Sequence, residues 1–271
     1  MTQWQEGIFG TKDRIYYRHN RFNPKRKTLV LVHGLTGSSS AWIPYEKTLG
    51  TKFNFLVFDL RGHGKSFRPG RFSEYSIEKF SADLYRLLRH KKISKFILLG
   101  HSFGNFVVLD FLRKHQNMVR AVIFVGAHYA PSKRRFTRLI PMLALARPFL
   151  AMINEEKKAG HVDYSRHKNT GDWNLRRMYA DIKNTGLKSV AYSTQQISLF
   201  NAEDLLPRIK IPTLIIHGNK DTIFPLAAAK KMALKIKNSR LVIFDGADHI
   251  IPLNYTRKLS KTIEDYIATL K

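Results

Sequence analysis

The pentapeptide Gly100-His101-Ser102-Phe103-Gly104 stands between an apolar run at 95–99 and a helical pattern at 105–115. A serine at a sharp turn from strand to helix can be reached by both a base and a substrate, which a nucleophilic hydroxyl requires. The two glycines allow the strand and the helix to approach closely around a residue in a strained conformation. The pentapeptide therefore predicts a nucleophile, Ser102, at the end of a buried strand.

Short apolar runs rich in Val, Ile, Leu and Phe recur on both sides of this turn, and helical patterns at 77–90, 105–115 and 226–237 separate them. This alternation predicts an α/β fold with a mostly parallel, doubly wound sheet flanked by helices. A hairpin of strands 7–10 and 14–18 is predicted at the edge of the sheet. The remaining predicted strands are 28–32, 53–58, 96–99, 121–125, 213–217 and 240–244.

The pattern changes at about residues 128–200, where prolines and glycines separate helix-like stretches and no buried strand is recognisable. We interpret 128–200 as a helical cap inserted into an α/β core of residues 1–127 and 201–271. Its apolar region 139–153 is interrupted by two prolines and an arginine and is shorter than the roughly 20 residues that cross a bilayer. A buried lid over a pocket is the favoured interpretation of this region, and an interfacial membrane-binding helix is the alternative.

Charge and cysteine content limit the classes of partner and compartment. The chain has 47 Lys and Arg against 20 Asp and Glu, a formal charge of +27, which attracts anionic partners. No zinc-finger spacing, aromatic RNA-binding signature or clear helix-turn-helix is present, so we expect weak association with anionic surfaces and no specific nucleic-acid partner. The absence of cysteine and of an apolar N-terminal signal core predicts a cytoplasmic protein without a transmembrane segment.

Two further polar residues follow predicted strands, as Ser102 does. Asp221 lies after the strand that ends at 217, and His249 lies after the strand that ends at 244. Functional residues of open parallel sheets gather beyond the carboxyl ends of the strands, so the three side chains can meet. We predict that His249 accepts the proton of Ser102 and that Asp221 orients the imidazole. Asp221 could instead be a turn former, and Asp248 is a less favoured acid.

The order Ser, Asp, His on such a sheet, with His33-Gly34-Leu35-Thr36-Gly37 after an early strand, resembles the α/β-hydrolase fold family from Thr28 to the C-terminus. The resemblance implies an acyl-transfer serine hydrolase with a helical cap, in which the backbone N–H groups of Leu35 and Phe103 form the oxyanion hole. It also assigns the segment from Asp59 to Ser66 to the bracing of loops. Asn105 departs from the family pattern, since many relatives have glycine there, and we expect it to change local packing only.

The predicted activity is hydrolysis of carboxylic esters of small to medium acyl chains, as in carboxylesterases and lipase-like esterases, through an acyl-enzyme on Ser102. Lactones, monoacylglycerols or carbon–carbon bonds are alternative targets of the same triad, and a non-catalytic binder of anionic partners is a further alternative. No cofactor or metal is required, and His161 and His167 have the wrong spacing for paired ligands on one helix. Apolar side chains that could form an acyl site, or equally belong to the core, are Trp42, Tyr129, Met142 and Phe149.

Overall fold

A computed structural model describes residues 3–131, 145–153 and 160–270. The described residues form an eight-stranded sheet in the order β1-β2-β4-β3-β5-β6-β7-β8. Strands β3 to β8 run parallel, whereas β2 is antiparallel to both of its neighbours, so the predicted α/β fold with a mostly parallel sheet is confirmed. The strands are β1 Trp4–Phe9, β2 Ile15–Asn20, β3 Thr28–Val32, β4 Asn54–Phe58, β5 Phe96–His101, β6 Val119–Val125, β7 Thr213–Gly218 and β8 Ser239–Phe244.

Helices occupy both faces of the sheet and the segment between β6 and β7. Those in the described residues are α1 Ile43–Glu46, α2 Ile77–His90, α3 Phe103–His115, α4 Arg147–Met152, α5 Leu175–Thr185, α6 Leu187–Leu199, α7 Leu226–Lys235, α8 Ile251–Asn254 and α9 Thr256–Ala268. Short 3-10 turns are Ser39–Trp42, Phe72–Tyr75, Gln116–Met118, Tyr164–His167 and Glu203–Arg208.

The core is divided by the sheet, because successive side chains of a strand point to opposite faces. Along β3, Val30 and Val32 belong to the apolar cluster that contains α2, α3 and α7, whereas Leu29 and Leu31 belong to the cluster that contains α1 and α9. Helix α2 fits this scheme because Phe80, Leu84, Leu87 and Leu88 recur at helical spacing and are all buried. Both faces of the parallel strands are therefore covered.

The edge hairpin exists, but its strands extend beyond the predicted bounds. Pairing runs from Trp4 opposite Asn20 to Phe9 opposite Ile15. The predicted strand 7–10 omitted the first residues of β1, because polar side chains such as Glu6 give no apolar signal. The backbone ladder defines this strand, and Arg18, which lies 3.0 Å from Glu46 and 3.4 Å from Glu6, holds the hairpin against the core.

Residues 128–200, which we call the insertion, contain helices and no strand in the parts that the structure describes. Helix α4 buries only Leu150, while Phe149 is 73% exposed, so the predicted buried lid does not describe residues 145–153. Residues 139–144 lie outside the described part of the chain. Within that part, no helix is both long enough and apolar enough to cross a membrane.

Candidate active site

Ser102 occupies the sharp turn between β5 and α3. Its φ of 53° and ψ of −117° are strained for a residue with a side chain. A Cβ on Gly104 would lie 2.7 Å from the carbonyl oxygen of Val32, and one on Gly100 would lie 2.9 Å from that of Gly104. Only glycine fits either position without a shift of backbone, which confirms the predicted close approach of strand and helix.

Asn105, the departure from the family pattern, stabilises the same turn. Its buried side-chain amide donates to the carbonyl oxygens of Val125 and Gly126, each at 3.0 Å. The backbone N–H of Ser102 also donates to Val125, at 3.0 Å. The start of α3 is thus fixed to the end of β6, and the expectation that Asn105 acts in local packing is met by these contacts.

The structure brings the three predicted catalytic side chains together. The Ser102 hydroxyl lies 2.7 Å from Nε2 of His249, and Nδ1 of His249 lies 2.7 Å from Oδ2 of Asp221. A carboxylate can only accept, so Nδ1 carries the proton and Nε2 is left to accept from the serine hydroxyl. This is the arrangement in which a histidine acts as base toward a serine.

Asp221 is held as an anion by its surroundings. Its Oδ1 accepts from the backbone N–H groups of Ile223 and Phe224 at 2.9 and 2.8 Å. Burial alone would raise the pKa of Asp221, but the hydrogen bond from His249, with the Phe224 N–H, holds this pKa below its ordinary value. Asp248 differs, because burial and the charge of Asp172 raise its pKa. Its carboxylate accepts from the backbone N–H of Ile250 at 3.0 Å.

His217, in β7, contacts the loop that carries Asp221. His217 is fully buried in β7, and its Nδ1 accepts from the N–H of Ala127 at 3.0 Å, so its Nε2 carries the proton. That Nε2 donates to the carbonyl of Phe224 at 3.2 Å and lies 3.4 Å from Oδ2 of Asp221. The sequence analysis missed His217, although a histidine inside an apolar strand just before a catalytic loop is a usable signal.

His101, next to Ser102, contacts the backbone of His249. Its Nε2 donates to the backbone carbonyl of His249 at 3.1 Å. Burial, with the neighbouring charge of His249, lowers the pKa of His101 to about 3, so this ring is neutral at physiological pH. Similarly, His33 accepts from the backbone N–H of Leu60 at 3.0 Å and donates to the carbonyl of Gly34 at 2.8 Å.

The two predicted oxyanion-hole residues flank Ser102. Phe103 is the first residue of α3, and an N–H at that position has no acceptor within its own helix. Among the backbone groups of the described residues, neither the N–H of Phe103 nor that of Leu35 has an acceptor. Both residues line the cavity that contains Ser102. Their amides are therefore available to a ligand, and the oxyanion hole stays a prediction.

A cavity of about 360 Å³ opens beside Ser102 and His249. Its core wall comes from loops and helix starts beyond the carboxyl ends of the strands and includes Gly34, Leu35, Phe103, Ile223, Phe224 and Leu253. The opposite wall comes from the insertion and includes Tyr164, Asp172, Trp173, Arg177, Met178, Asp181, Ile182, Val190 and Ile197. The cavity is thus shared by core and insertion.

Of the side chains predicted for the acyl site, the three that the structure describes are not on these walls. Trp42 is 1% exposed and packs against Tyr45 in the core on the α1 and α9 face of the sheet. Tyr129 is buried in the core of the other face, and Phe149 points to solvent from α4. Met142 lies outside the described residues. Apolar character alone does not distinguish a core position from a pocket position. Trp42 and Tyr129 belong to the core, as the alternative interpretation of the sequence allowed.

Polar pairs fasten the insertion wall. Asp181 accepts from the Tyr164 hydroxyl at 2.9 Å and from Nη1 of Arg177 at 3.2 Å. Burial raises the pKa of Asp181 to about 6 despite these donors. Arg177 also donates to the carbonyl of Asp172 at 2.8 Å. The turn Tyr164–His167, the residues around Asp172 and helix α5 are therefore linked to one another.

The segment from Asp59 to Ser66 braces the core and holds the insertion to it. Asp59 accepts from the backbone N–H of Ser39 at 2.7 Å and from Nε2 of His161 at 2.7 Å. Burial would raise the pKa of Asp59, but the hydrogen bond and charge of His161 lower it. Arg61 forms a bidentate pair with Asp83 at 2.6 and 2.7 Å. The predicted bracing role of this segment is confirmed.

His161, in the insertion, pairs with a carboxylate. The partner of His161 is the carboxylate of Asp59, 2.7 Å away. In the ranges that the structure describes, no group of three or more His, Asp or Glu side chains is arranged to hold a metal ion.

The chain is similar to known hydrolases over most of its length. The family described as alpha/beta hydrolase fold matches residues 27–254. A putative carbamate hydrolase, RutD, from Stutzerimonas stutzeri is 26% identical over 236 residues, which cover 82% of this chain and 84% of that protein.

Two solved structures share the architecture. The enol-lactonase from Burkholderia xenovorans has a TM-score of 0.74 at 23% identity, covering 95% of this chain and 97% of its own. An esterase from Exiguobacterium antarcticum also has a TM-score of 0.74, at 22% identity, covering 95% and 96%. At such identities the likeness establishes the fold and leaves the substrate open.

Proposed function

Because the chain belongs to the alpha/beta hydrolase fold family, we propose that it is a serine hydrolase that cleaves carboxylic esters of small to medium acyl chains. The observation that carries the proposal is the line of two 2.7 Å hydrogen bonds from Asp221 through His249 to Ser102. Its orientation leaves Nε2 of the imidazole facing the serine hydroxyl, as a general base requires.

In the acylation step, the Ser102 oxygen attacks the ester carbonyl carbon while its proton moves to Nε2 of His249. The carbonyl oxygen becomes an alkoxide that accepts from the N–H groups of Leu35 and Phe103. As the tetrahedral intermediate collapses, the carbon–oxygen bond to the alcohol breaks and the imidazolium returns the proton to the leaving oxygen. The product of this step is an ester on Ser102.

Deacylation reverses the roles of the groups. Water gives a proton to Nε2 of His249 and attacks the acyl carbon, and the second tetrahedral intermediate uses the same two amides. Ser102 then leaves with the proton, and the carboxylic acid is released. Asp221 stays ionised throughout, and its charge stabilises the imidazolium in both halves of the reaction.

Cavity size and lining support an acyl group of limited length. The volume of about 360 Å³ lies near the lower end of the roughly 300–1,000 Å³ typical of ligand pockets. Four apolar residues of the insertion, Met178, Ile182, Val190 and Ile197, line the same cavity as Ser102. We assign this apolar wall to the acyl chain and the insertion to the role of a cap that selects substrates.

The test is hydrolysis of p-nitrophenyl esters from acetate to palmitate by the wild type, by Ser102→Ala and by Ser165→Ala. Ser165 is an exposed serine whose hydroxyl donates to Asp163, so it controls for loss of a hydroxyl elsewhere. Turnover in the wild type and in Ser165→Ala, with none in Ser102→Ala and an optimum at short or medium chains, supports the proposal. Equal turnover in all three proteins contradicts it.

A second panel identifies the bond. Lactones, monoacylglycerols, diketones and carbamates all present a carbonyl carbon to the same nucleophile, and two of these classes match what the named relatives act on. If kcat/KM for one of these classes is higher than for every simple ester, cleavage of that class would be assigned as the main reaction in place of ester hydrolysis. Salt-sensitive binding to anionic vesicles that persists in Ser102→Ala, without turnover of any panel member, would favour a binder.

A further inference from the structure

Asp172, in the insertion, contacts both catalytic loops with one carboxylate. Its Oδ1 accepts from the backbone N–H of His249 at 2.7 Å. Its Oδ2 accepts from the backbone N–H of Thr222 at 2.9 Å and from the Thr222 hydroxyl at 2.7 Å. Thr222 directly follows Asp221, so this carboxylate joins the backbone of the base to the residue beside the acid.

The neighbouring residue, Trp173, strengthens the contact with Thr222. Its indole N–H donates to the Thr222 hydroxyl oxygen at 2.9 Å, and that hydroxyl in turn donates to Asp172. We call Asp172, Trp173 and Thr222 the latch.

The insertion side of the latch is itself fixed. The carbonyl of Asp172 accepts from Arg177, and the side chain of Asn174 accepts from the backbone N–H of Arg177 at 2.9 Å, capping helix α5. Asn254, on the core side, donates to the carbonyl of Thr170 at 2.9 Å. The latch is therefore bonded to the start of helix α5 in the insertion and to the loops that carry Asp221 and His249 in the core.

The backbone of His249 is hydrogen-bonded on both its carbonyl and its N–H. His101, beside the nucleophile, donates to its carbonyl, whereas Asp172 accepts from its N–H. The first contact comes from the core and the second from the insertion. Asp172 is only 8% exposed, so its bonds to backbone N–H groups form in a site poor in competing water.

We propose that Asp172 is a positioning residue that aligns His249 with Ser102 and Asp221, so that the triad is complete only when the insertion is docked. The proposal rests on the proposed function, since it concerns the same triad. Asp172 acts through the backbone of the base and contacts no reacting atom. A displacement of about 1 Å in such an alignment can reduce turnover by about a hundredfold.

The test compares Asp172→Asn with Asp163→Asn. Asparagine has one acceptor oxygen, so its amide group must face one of the two N–H groups that the carboxylate satisfies. Asp163 is the matched control, an exposed carboxylate of the insertion that accepts from the backbone N–H of Ser165. Activity is normalised to the concentration of active sites by titration, which separates slow sites from unfolded protein.

We expect Asp172→Asn to lower kcat per active site by about 10- to 100-fold while KM changes by less than about threefold. Thr222→Val, which removes only the hydroxyl, should lower kcat in the same direction by a smaller factor. Asp163→Asn should match the wild type in both constants. If Asp172→Asn does not fold, Thr222→Val and Trp173→Phe carry the same comparison.

Three results would overturn the latch. The first is an unchanged kcat per active site in Asp172→Asn. The second is a change confined to KM, which would make Asp172 a substrate-binding residue. The third is a loss of total activity that is explained wholly by fewer active sites. The labelling rate of Ser102 by a fluorophosphonate is measured in parallel. It reports serine reactivity without any ester, so slower labelling of Asp172→Asn sustains the latch even if the wild type hydrolyses no ester and the proposed function fails.

Discussion

The core wall and the insertion wall of the cavity differ in how their side chains are held. Ser102, Asp221 and His249 each follow a strand, and the parallel sheet delivers all three to one edge. Tyr164, Asp181 and their neighbours come from segments outside the sheet, joined by side-chain pairs. The backbone of the sheet thus positions one wall, whereas contacts between side chains position the other.

The contrast extends to two buried carboxylates. Asp221 receives two backbone N–H bonds and the His249 ring, and these outweigh burial, so its pKa is lowered. Asp181 receives the Tyr164 hydroxyl and Arg177, but burial prevails and raises its pKa to about 6. Asp221 accepts from two backbone N–H groups, whereas Asp181 accepts from side chains, and this difference in donors accompanies the opposite pKa shifts of the two carboxylates.

The largest expected effect comes from the base. His249→Ala should reduce kcat toward p-nitrophenyl esters by up to about a millionfold, because no other group accepts the Ser102 proton. His90→Ala, at an exposed histidine at the end of α2, is the control and should retain full activity. Substantial residual turnover in His249→Ala would mean that the chemistry does not reside in the core wall as assigned.

The next effect separates two adjacent candidates for the acid. Asp221→Asn should lower kcat by about ten-thousandfold, since the amide no longer holds the reactive tautomer of His249. Asp248→Asn should cost far less, because Asp248 accepts from Ile250 and not from the imidazole. Steady-state kinetics of both variants give the two losses of kcat. A larger loss in Asp248→Asn than in Asp221→Asn would assign the acid to Asp248.

A smaller effect tests the insertion wall. Ile182→Ala enlarges the apolar side of the cavity, and we expect preference for an ester longer by a few methylenes to rise by about tenfold in kcat/KM. Hydrolysis of the acetate ester should change little, since the triad is untouched. Ile243→Ala, at an exposed position of β8, is the matched control. An equal loss for all chain lengths would remove Ile182 from acyl selection.

The smallest effect concerns stability and pH. Burial lowers the pKa of His63 and of His101 to about 3, whereas both have ordinary values near 6.5 when unfolded. The unfolded chain therefore binds more protons below pH 6.5. Each group should lower the folding equilibrium constant by up to about tenfold per pH unit as the pH falls from 6.5 toward 3.

Urea unfolding at pH 7.5, 6.5 and 5.5 measures this dependence. His63→Gln should give a shallower fall of stability with acid than the wild type, whatever its stability at pH 7.5. If the free energy of unfolding falls equally with pH in the two proteins, the assignment of a neutral, buried His63 is contradicted.

The predictable parts of the molecule were those with local signals. Ser102, Asp221 and His249 each stand directly after an apolar run, so strand and candidate could be recognised together. The edge hairpin was placed with short bounds, because Gln5 and Glu6 are polar and give no apolar strand signal, although both pair with β2 through the backbone. Trp42 was assigned to the cavity because an apolar side chain gives the same signal in a core.

The insertion wall could not be predicted because its contacts join distant segments. Nothing near Asp172 in the sequence indicates that its carboxylate reaches His249, 77 residues away. Likewise, the hydrogen bonds among Tyr164, Arg177 and Asp181 form only when the turn Tyr164–His167 packs against helix α5. These long-range contacts depend on the folded arrangement of the insertion, which no local motif encodes.

The most direct test of the central claim is to label the protein with a fluorophosphonate and map the modified residue by peptide mass spectrometry. The account predicts one phosphonyl group per chain, on Ser102, with ester hydrolysis lost in proportion to labelling and no label on Ser102→Ala. A label on another residue, or hydrolysis that survives complete labelling of Ser102, would contradict it.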